Sequence, residues 1–369
     1  MICKNPRKLW IAIPTLRGGG AERVVATLVR HLDPAVFSIT LIVVDMRGAV
    51  HGESIPDGVR LVDLDCRHVR TALPKLIRLI RRGKPDVVLS TLSHLNLSLA
   101  AFKWTFPKET SLVARETVVP SPFAANSLSL KLLFSLYRVV HSGFDRVICQ
   151  SNDMRMDIVD NFGVPETKCV VIPNPVDTVE IAAQSKLPAS LPETPRGTIK
   201  LVAAGRLTYQ KGFDILLDAI ARLERTDVHL FIMGDGPSLE ALTFQAEALG
   251  ISGRVAFLGY VVNPYPVMAN ADGFVLSSRF EGMPNVVLEA LCCGVPVIAT
   301  PAPGGVQQIL GGLERCEVAT AIDAEALALA IKKWLAGPRL RIPSDVVAPY
   351  AVAQVMRQYE AALLNPASR

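Results

Sequence analysis

The chain has 369 residues, of which half are hydrophobic and a fifth are charged, and its formal net charge is +5. This length predicts two domains of ordinary size, and the mixed composition excludes a disordered or fibrous protein. The charge is uneven, with a net +6 up to residue 184 and a net −1 after it. A basic half indicates an anionic partner, and nucleic acid, an anionic membrane surface and a phosphorylated substrate all fit that description.

Short apolar runs alternate with longer amphipathic stretches along most of the chain. In the first half, the strand-like runs lie at residues 10–14, 39–44, 87–89, 111–114, 146–149 and 169–172. In the second half, they lie at residues 199–204, 228–233, 254–258, 273–276 and 296–299. This alternation predicts βα units and parallel sheets, with ligands at the carboxyl ends of the strands. No uninterrupted apolar run approaches the roughly 20 residues needed to span a bilayer.

The composition changes between the two halves, where residues 185–197 are rich in Pro, Ser and Thr. Such a segment is typical of a linker between domains. The stretch 351–364 is amphipathic and predicts a helix that packs on either domain. We therefore predict an N-terminal domain at 1–177, a linker at 178–198, a C-terminal domain at 199–349 and a C-terminal helix at 350–369.

The first candidate site is the loop Arg17-Gly18-Gly19-Gly20, between the first strand and the first helix. Its glycines let the backbone approach a ligand, and a helix N-terminus favours an anion. A tight turn alone rarely needs three consecutive glycines. The loop is neither G-x-G-x-x-G nor a phosphate loop ending in GK[ST], which argues against nicotinamide or ATP binding.

A second candidate site follows the first strand of the second half. Gly205-Arg206-Leu207 ends that strand, and Gln210-Lys211-Gly212 opens the next helix. Either cation alone is more typical of a solvated surface. Two cations five positions apart across a strand–loop–helix turn can instead both point at a diphosphate, Arg206 as a planar fork and Lys211 as a point charge.

The segment 277–289 adds two carboxylates, Glu281 in a loop and Glu289 inside a predicted helix. The backbone amides from Gly282 to Val286 would face a phosphate at the start of that helix. Glu289 lies among apolar residues, where a carboxylate needs a reason, and carboxylates accept hydrogen bonds from sugar diols.

Together these motifs resemble the family-four retaining glycosyltransferases of the GT-B fold. The resemblance rests on five motifs, which are Gly18-Gly19-Gly20, Asn174-Pro175-Val176-Asp177, GRL…QKG, Gly234-Asp235-Gly236-Pro237 and the pair Glu281 and Glu289. It covers nearly the whole chain and implies two Rossmann-like βαβ domains that face each other across a cleft. The opening GGGAERVV is most similar to bacterial enzymes that extend lipid-linked glycans, O-antigens or capsules.

The resemblance implies a nucleotide-sugar donor, UDP-linked, and neither a cofactor nor a metal. Arg206 and Lys211 would neutralise the departing diphosphate, and Glu281 would contact the hydroxyls of the transferred sugar. Glu289 would bind the ribose, and Leu258 would lie beside the base. The expected donor-binding residues are Gly19, Gly20, Gly205, Leu258, Met283, Pro284, Asn285, Val286 and Glu289.

On the acceptor side the chain departs from the family. Many relatives have a histidine where this chain reads Ala114-Arg115-Glu116-Thr117. The acceptor-side candidates are Arg17, Glu22, His94, Arg115 and Glu116. A structural hydrogen-bonding role is an equal alternative for His94.

Asp63-Leu64-Asp65 has the spacing of a D-x-D metal motif, but that motif serves a different glycosyltransferase fold. Turn carboxylates at a strand end explain it better, so we expect metal-independent transfer.

The membrane-facing candidates are the cations Lys75, Arg78, Arg82, Lys131 and Arg138. The first three fall on one face of a predicted helix, and the last two lie in the apolar stretch 128–144. For a chain that resembles lipid-linked glycan enzymes, they predict contact with the anionic inner face of the cell membrane by a cytoplasmic, peripheral protein. No nucleic-acid module is present, so DNA and RNA are excluded as partners. The alternatives are a GT-B sugar-nucleotide epimerase, a GDP-mannose-type donor and a non-catalytic two-lobed binding protein.

Overall fold

The computed structural model describes residues 5–50, 55–124, 128–189, 191–338 and 340–366. The chain forms two compact units. The first unit comprises the residues up to Pro175 together with those from Val352 onward, and the second unit is Val176–Ala351. The first unit is therefore built from two separate stretches of sequence.

The first unit contains a seven-stranded sheet in which every neighbouring pair of strands is parallel. Its strands are β1 (Arg7–Thr15), β2 (Phe37–Asp45), β3 (Arg60–Asp63), β4 (Val87–Thr91), β5 (Ser111–Arg115), β6 (Arg146–Cys149) and β7 (Cys169–Val171). They are ordered β3-β2-β1-β4-β5-β6-β7. This order confirms the predicted parallel βα architecture.

Helices cover both faces of this sheet. They are α1 (Gly20–His31), α2 (Val69–Gly83), α3 (Ser93–Ala101), α4 (Pro120–Ala124), α5 (Leu128–Ser135), α6 (Tyr137–Val140) and α7 (Asn152–Phe162). Val25 and Leu28 of α1 belong to one apolar core, whereas Leu76 of α2, Leu99 of α3 and Ile158 of α7 belong to the other. On α1, α2 and α7, buried residues at helical spacing explain why these segments fold as amphipathic helices.

The second unit repeats this plan with six parallel strands. They are β8 (Ile199–Ala204), β9 (Val228–Met233), β10 (Val255–Gly259), β11 (Gly273–Leu276), β12 (Val297–Ala299) and β13 (Glu317–Val318), in the order β10-β9-β8-β11-β12-β13. Its helices are α8 (Thr178–Gln184), α9 (Phe213–Ala221), α10 (Leu239–Ala248), α11 (Tyr265–Ala269), α12 (Asn285–Cys292), α13 (Val306–Leu310) and α14 (Ala324–Ala336).

Each sheet reverses its strand order beside its first strand. In the first unit the reversal lies between β1 and β4, and in the second it lies between β8 and β11. In open α/β sheets, ligands bind outside the carboxyl ends of the strands at such a switch point. The loops that follow these four strands are therefore where a site is expected.

The predicted linker at 178–198 is wrong in its first third, because α8 occupies it. Asp177 caps this helix by accepting a hydrogen bond from the Glu180 backbone amide, at 2.9 Å. Ile181 is buried and packs in the core of the second unit. One buried apolar residue in a short helix was too weak a pattern to recognise beside the Pro-rich stretch that follows.

The last helix, α15 (Val352–Leu364), packs in the first unit. Val355, Met356 and Tyr359 join the core on the α1 side of the sheet. Arg7 of β1 donates a hydrogen bond to the Leu364 carbonyl at 2.7 Å, at the end of this helix. The helix predicted at 351–364 is confirmed, and it packs on the first unit.

Candidate functional site

At the switch point of the second unit, the loops after β8 and β11 bring together Lys211 and Glu281. The Lys211 Nζ lies 2.7 Å from Glu281 Oε1, and the two side chains are 18% and 6% exposed. Ser278 Oγ donates a second hydrogen bond to the same oxygen at 2.6 Å. Two of the three residues predicted to act in catalysis therefore meet in a charge-assisted contact that is largely shielded from water.

Glycine makes this close approach possible. Gly212 has a φ of +61°, and a Cβ added there would lie 2.1 Å from the Ser277 carbonyl oxygen. A Cβ at Gly205 would lie 3.2 Å from Cε of Lys211, so the lysine side chain runs directly over that glycine. The glycines on both sides of the cationic loop therefore hold it against the neighbouring loop.

Arg206, the third predicted catalytic residue, differs from Lys211. Its side chain is exposed, and it forms no ion pair or side-chain hydrogen bond with the residues that the structure describes. Its guanidinium donors therefore remain available for an anion at the carboxyl end of β8.

Helix α12 begins at Asn285 with Pro284 before it, so the Asn285 and Val286 amides lie in its first turn. Met283 is buried beneath that turn, where its side chain packs beside Gly305. Glu289 lies in the middle of the helix and is only 4% exposed. Both carboxylates of the predicted Glu-x7-Glu pair are therefore buried.

The loop after β9 adjoins the cationic loop. A Cβ at Gly234 would lie 2.0 Å from the Gly205 carbonyl oxygen, so the two backbones touch at this glycine. Leu258 of β10 lines a cavity of about 560 Å³. The same cavity is lined by Tyr260, by Val261 and by residues of the segment 188–192.

At the switch point of the first unit, Gly19 and Gly20 are exposed at the start of α1. Glu22 accepts a hydrogen bond from Thr15 Oγ1 at 3.1 Å. Its Oε2 would lie 2.4 Å from a Cβ at Gly19, so the carboxylate lies against the glycine loop. The N-terminus of α1 thus already has a negative charge beside it, which is favourable for the helix dipole.

Arg17 is anchored beside this loop rather than free. Its Nη2 lies 2.8 Å from Asp45 Oδ2, and its Nε donates to the Arg47 carbonyl at 2.9 Å. Arg47 Nε lies 2.7 Å from the other oxygen of Asp45. The hydrogen bonds from Arg47, with the charges of both arginines, lower the pKa of Asp45.

His94 is the second residue of α3, at the carboxyl end of β4, and its side chain is exposed. Leu92, just before the helix, has a φ of +75°, which is a strained conformation for a leucine. Desolvation by neighbouring atoms lowers the pKa of His94, which favours the neutral imidazole.

Arg115 and Glu116 are fully buried, so the prediction that they face an acceptor is wrong. Arg115 Nε donates to the Tyr359 hydroxyl at 3.0 Å, and its Nη2 donates to Asn174 Oδ1 at 2.6 Å. Glu116 accepts hydrogen bonds from three neutral side chains, Ser93 Oγ at 2.5 Å, Asn96 Nδ2 at 2.5 Å and the hydroxyl of Tyr137. Burial raises the pKa of Glu116 although these bonds oppose the rise.

The five membrane-facing candidates are all exposed, but they differ in their partners. Lys75 Nζ donates to the Leu64 carbonyl at 3.0 Å, and Arg138 Nη2 donates to the Asn161 carbonyl at 2.9 Å. Within the described ranges, the side chains of Arg78, Arg82 and Lys131 form no hydrogen bond or ion pair. None of the helices in those ranges combines the length and hydropathy that crossing a bilayer requires.

Asp63 and Asp65 form a turn at the end of β3. The Asp65 amide donates to Asp63 Oδ1 at 2.8 Å, and Asp65 has a φ of +46°. In the part of the chain that the structure describes, no three His, Cys, Asp or Glu side chains cluster as metal ligands would. Metal independence itself stays a prediction.

Comparison with known proteins supplies the family. Residues 18–180 match the family described as Glycosyltransferase Family 4, and residues 192–343 match the one described as Glycosyl transferases group 1. The N-acetylgalactosamine-N,N'-diacetylbacillosaminyl-diphospho-undecaprenol 4-alpha-N-acetylgalactosaminyltransferase of Campylobacter jejuni is 30% identical over 91% of this chain and 92% of its own length. The chain belongs to the family-four glycosyltransferases.

A second relative of this glycosyltransferase agrees with that assignment, and a solved structure has the same fold. The lipopolysaccharide core biosynthesis glycosyltransferase LpsE of Rhizobium meliloti is 29% identical over 88% of each chain. The crystal structure of Anabaena HepE in complex with UDP and glucose has a TM-score of 0.77, with 19% identity over 97% of this chain and 99% of that one. The predicted GT-B fold is confirmed.

Sequence reasoning did not find several residues that shape this glycosyltransferase's site. Ser278 shares the carboxylate of Glu281 with Lys211. Away from this site, Tyr359 accepts a hydrogen bond from the buried Arg115, 244 positions earlier in the chain. The ion pair between Arg279 and Asp214 spans 65 positions. Ser278 and Arg279 had a local signal, because they lie three and two residues before Glu281 in a loop already singled out.

Proposed function

We propose that this glycosyltransferase transfers a hexose or N-acetylhexosamine from a UDP-linked sugar, with retention of configuration, to a growing surface polysaccharide or lipid-linked oligosaccharide. The observation that carries the proposal is the 2.7 Å contact between Lys211 and Glu281 at the switch point of the second sheet, five residues after the exposed Arg206. Support comes from the position of these residues at the switch point, because ligands of open α/β sheets bind at such points.

In this mechanism, the two cations stabilise the leaving group. Arg206 and Lys211 bind the diphosphate as the bond between the anomeric carbon and the β-phosphate oxygen breaks. The acceptor hydroxyl forms its bond on the same face of the sugar and passes its proton to the β-phosphate oxygen. Hydrogen-bond donors that already face the position where negative charge develops supply most of the rate enhancement. Because the β-phosphate accepts the proton, no separate general base is required.

Glu281 binds the transferred sugar in this proposal. Its carboxylate is almost fully buried, and the charge of Lys211 and the hydroxyl of Ser278 stabilise it there. A buried, charge-balanced carboxylate accepts hydrogen bonds from neighbouring sugar hydroxyls with little loss of its own hydration.

The relatives support the substrate classes of this proposal. HepE was crystallised with UDP and glucose, the name of the Campylobacter jejuni enzyme specifies a diphospho-undecaprenol-linked acceptor, and LpsE acts in lipopolysaccharide core biosynthesis. For this chain we propose a UDP-sugar donor and an acceptor of the same lipid-linked or polysaccharide class. A GDP-mannose-type donor is the alternative on the same fold.

We propose further that the first unit binds the anionic inner face of the cell membrane, which would make the protein cytoplasmic and peripheral. Support comes from an apolar surface on α5 and α6, where Leu128, Leu132 and Val139 are 82%, 70% and 75% exposed. Lys131 is exposed on the same helix as the two leucines. Exposed leucines combined with basic side chains are typical of helices that lie in the interface of an anionic bilayer.

We also propose that the transfer uses neither a metal nor a cofactor, because Arg206 and Lys211 supply the positive charge that a metal provides elsewhere. The rival activity on this fold, sugar-nucleotide epimerisation, requires acid and base groups at the sugar and forms no glycosidic bond. Analysis of the product therefore separates the two activities.

The test is a screen of purified protein for hydrolysis and transfer of UDP-, GDP- and TDP-sugars. We expect UDP-sugar turnover, and we expect Lys211→Met to lower kcat at saturating donor roughly a hundredfold or more, as loss of one transition-state donor does. Lys333 pairs with Glu317 on the surface of the same unit at 2.8 Å, so Lys333→Met is the matched control and should leave kcat unchanged. Full activity of Lys211→Met, or epimerised nucleotide sugar as the only product, would contradict the proposal.

A further inference from the structure

The loops that carry Lys211 and Glu281 are held together by more than their ion pair, and Arg279 lies between them. We propose that Arg279 is a positioning residue that fixes Lys211 relative to Glu281 for the transfer step. This inference rests on the proposed function of these two residues, and nothing in the family motifs quoted above includes Arg279.

The Arg279 side chain donates hydrogen bonds to residues on both sides of Lys211. Its Nη1 donates to the Tyr209 carbonyl at 2.8 Å, two residues before Lys211. Its Nη1 and Nη2 also donate to Asp214 Oδ1 and Oδ2, at 2.8 Å and 2.5 Å, three residues after Lys211. One planar group therefore spans the short helical turn that carries the lysine.

Stacking adds a further contact. The guanidinium carbon lies 4.0 Å from the centre of the Tyr209 ring, and that tyrosine is 62% exposed. A forked donor that is also planar satisfies the carboxylate, the carbonyl and the ring face together, which the single ammonium of a lysine does not.

Hydrogen bonds to main-chain carbonyls also join the residues around Lys211 to those around Glu281. The Arg279 amide donates to the Gln210 carbonyl at 2.8 Å, and Gln210 Nε2 donates to the Phe280 carbonyl at 3.1 Å. Ser277 Oγ donates to the carbonyl of Lys211 itself at 2.9 Å. The residues that adjoin Lys211 are thus bonded to those that adjoin Glu281.

The ion pair keeps Asp214 in its charged form. Burial of Asp214 opposes its ionisation, but the hydrogen bonds and charge of Arg279 outweigh burial and lower the pKa of this carboxyl. The Arg279 side chain is 18% exposed and that of Asp214 is 46% exposed, so the guanidinium is the shielded partner and water reaches the carboxylate. If a cation is misplaced relative to the charge that develops in the transition state, the reaction rate falls steeply, by about a hundredfold for 1 Å.

The competing explanation is a pair that only stabilises the fold, and the chain offers a matched control for it. Arg225 makes the same two-pronged contact with Asp227, at 2.9 Å from Nε and 2.7 Å from Nη2, elsewhere in the second unit. Arg225→Met removes a bidentate pair whose arginine is more exposed, at 43%, without touching either loop.

The experiment compares Arg279→Met, Arg279→Lys and Arg225→Met for kcat, donor KM and melting temperature. We expect Arg279→Met to lower kcat at least tenfold with a smaller change in donor KM, Arg279→Lys to recover only part of the loss, and Arg225→Met to retain kcat. In a Lys211→Met background, Arg279→Met should lower kcat no further, because the group that it positions is gone. Asp214→Asn, which keeps the side-chain shape, should reduce kcat severalfold and tests the same clamp if Arg279→Met does not fold.

Two outcomes would overturn the inference. One is an unchanged kcat, measured per folded molecule, with only a lower melting temperature in Arg279→Met or, if that variant does not fold, in Asp214→Asn. The other is an equal fold-loss of kcat on Arg279→Met in the wild-type protein and in the Lys211→Met background. By contrast, wild-type activity of Lys211→Met itself would refute the proposed function, so the two failures are distinguishable.

Discussion

The switch points of the two units have the same strand order but different chemistry. In the second unit, the loops after β8 and β11 are joined by the contact of Lys211 with Glu281. In the first unit, the Glu22 carboxylate lies against its own glycine loop, and Arg17 is bound to Asp45. The comparison teaches that topology decides where a site lies, whereas the side chains on the loops decide what it binds.

The same contrast holds for the buried carboxylates. Glu281 is balanced by a cation and lies in a loop, whereas Glu116 accepts hydrogen bonds only from neutral donors and sits at the end of β5 inside the unit. One arrangement suits a leaving anion and a sugar, and the other suits a rigid core.

The largest effect that we expect is a difference in stability between alanine substitutions in the two glycine loops. Gly212→Ala should lower the free energy of unfolding by about 2–4 kcal/mol, because its positive φ and the Ser277 carbonyl leave no room for a methyl group. Gly19→Ala should cost less than about 1 kcal/mol, since the atom nearest to its added methyl is the mobile end of Glu22. Chemical denaturation of both variants measures the difference, and equal losses would show that the two loops are equally constrained.

A second comparison concerns the surfaces of the two units. Replacing Arg78, Arg82 and Lys131 by Ser should weaken binding to anionic liposomes roughly tenfold at low salt, because each cation near the membrane contributes up to about 1 kcal/mol. The effect should shrink as salt rises. Arg225, Lys332 and Lys333 of the second unit provide a control with the same loss of charge, and an equal effect of both triple variants would refute a specific membrane face.

The burial of Glu116 predicts a pH dependence of stability. Burial raises the pKa of Glu116 above the 4.5 of a free glutamate, so the folded protein binds this proton more tightly than the unfolded chain does. Its contribution to stability is complete below about pH 4.5 and is lost as the pH rises through the raised pKa. Relative to wild type, Glu116→Gln should therefore gain stability between pH 4 and pH 7, as urea denaturation can measure. A constant difference across that range would contradict the raised pKa.

The smallest expected effect is none at all. Because Arg206 and Lys211 supply the positive charge at the second switch point, chelation of divalent ions with EDTA should leave transfer at its full rate. Restoration of a lost rate by Mn²⁺ would instead mean that a metal takes part, and the carboxylates of Asp63 and Asp65 would then be the first residues to replace.

Much of the fold could be predicted because parallel strands that are buried on both faces have short, continuous apolar sequences. The strands at 199–204, 228–233 and 273–276 were predicted with the bounds that the structure gives. Helix α8 was missed because a single buried residue, Ile181, carries its apolar face.

The site was harder to predict where it depends on distant partners. Lys211 and Glu281 could be anticipated because each follows a strand in its own loop. The burial of Arg115 could not, because its hydroxyl partner Tyr359 comes from a helix 244 positions later. Charged residues at the ends of strands usually face solvent, and only the tertiary structure shows that Arg115 and Glu116 are buried.

The return of α15 to the first unit has a consequence for the order of folding. Val355, Met356 and Tyr359 complete a core whose other members come from the opening strands, and residues 176–351 lie between them in sequence. On the ribosome, the continuous second unit can close as soon as it emerges, whereas the first must wait with one face of its sheet incomplete. We therefore expect nascent chains that stop before Val352 to depend on chaperones for the unit synthesised first.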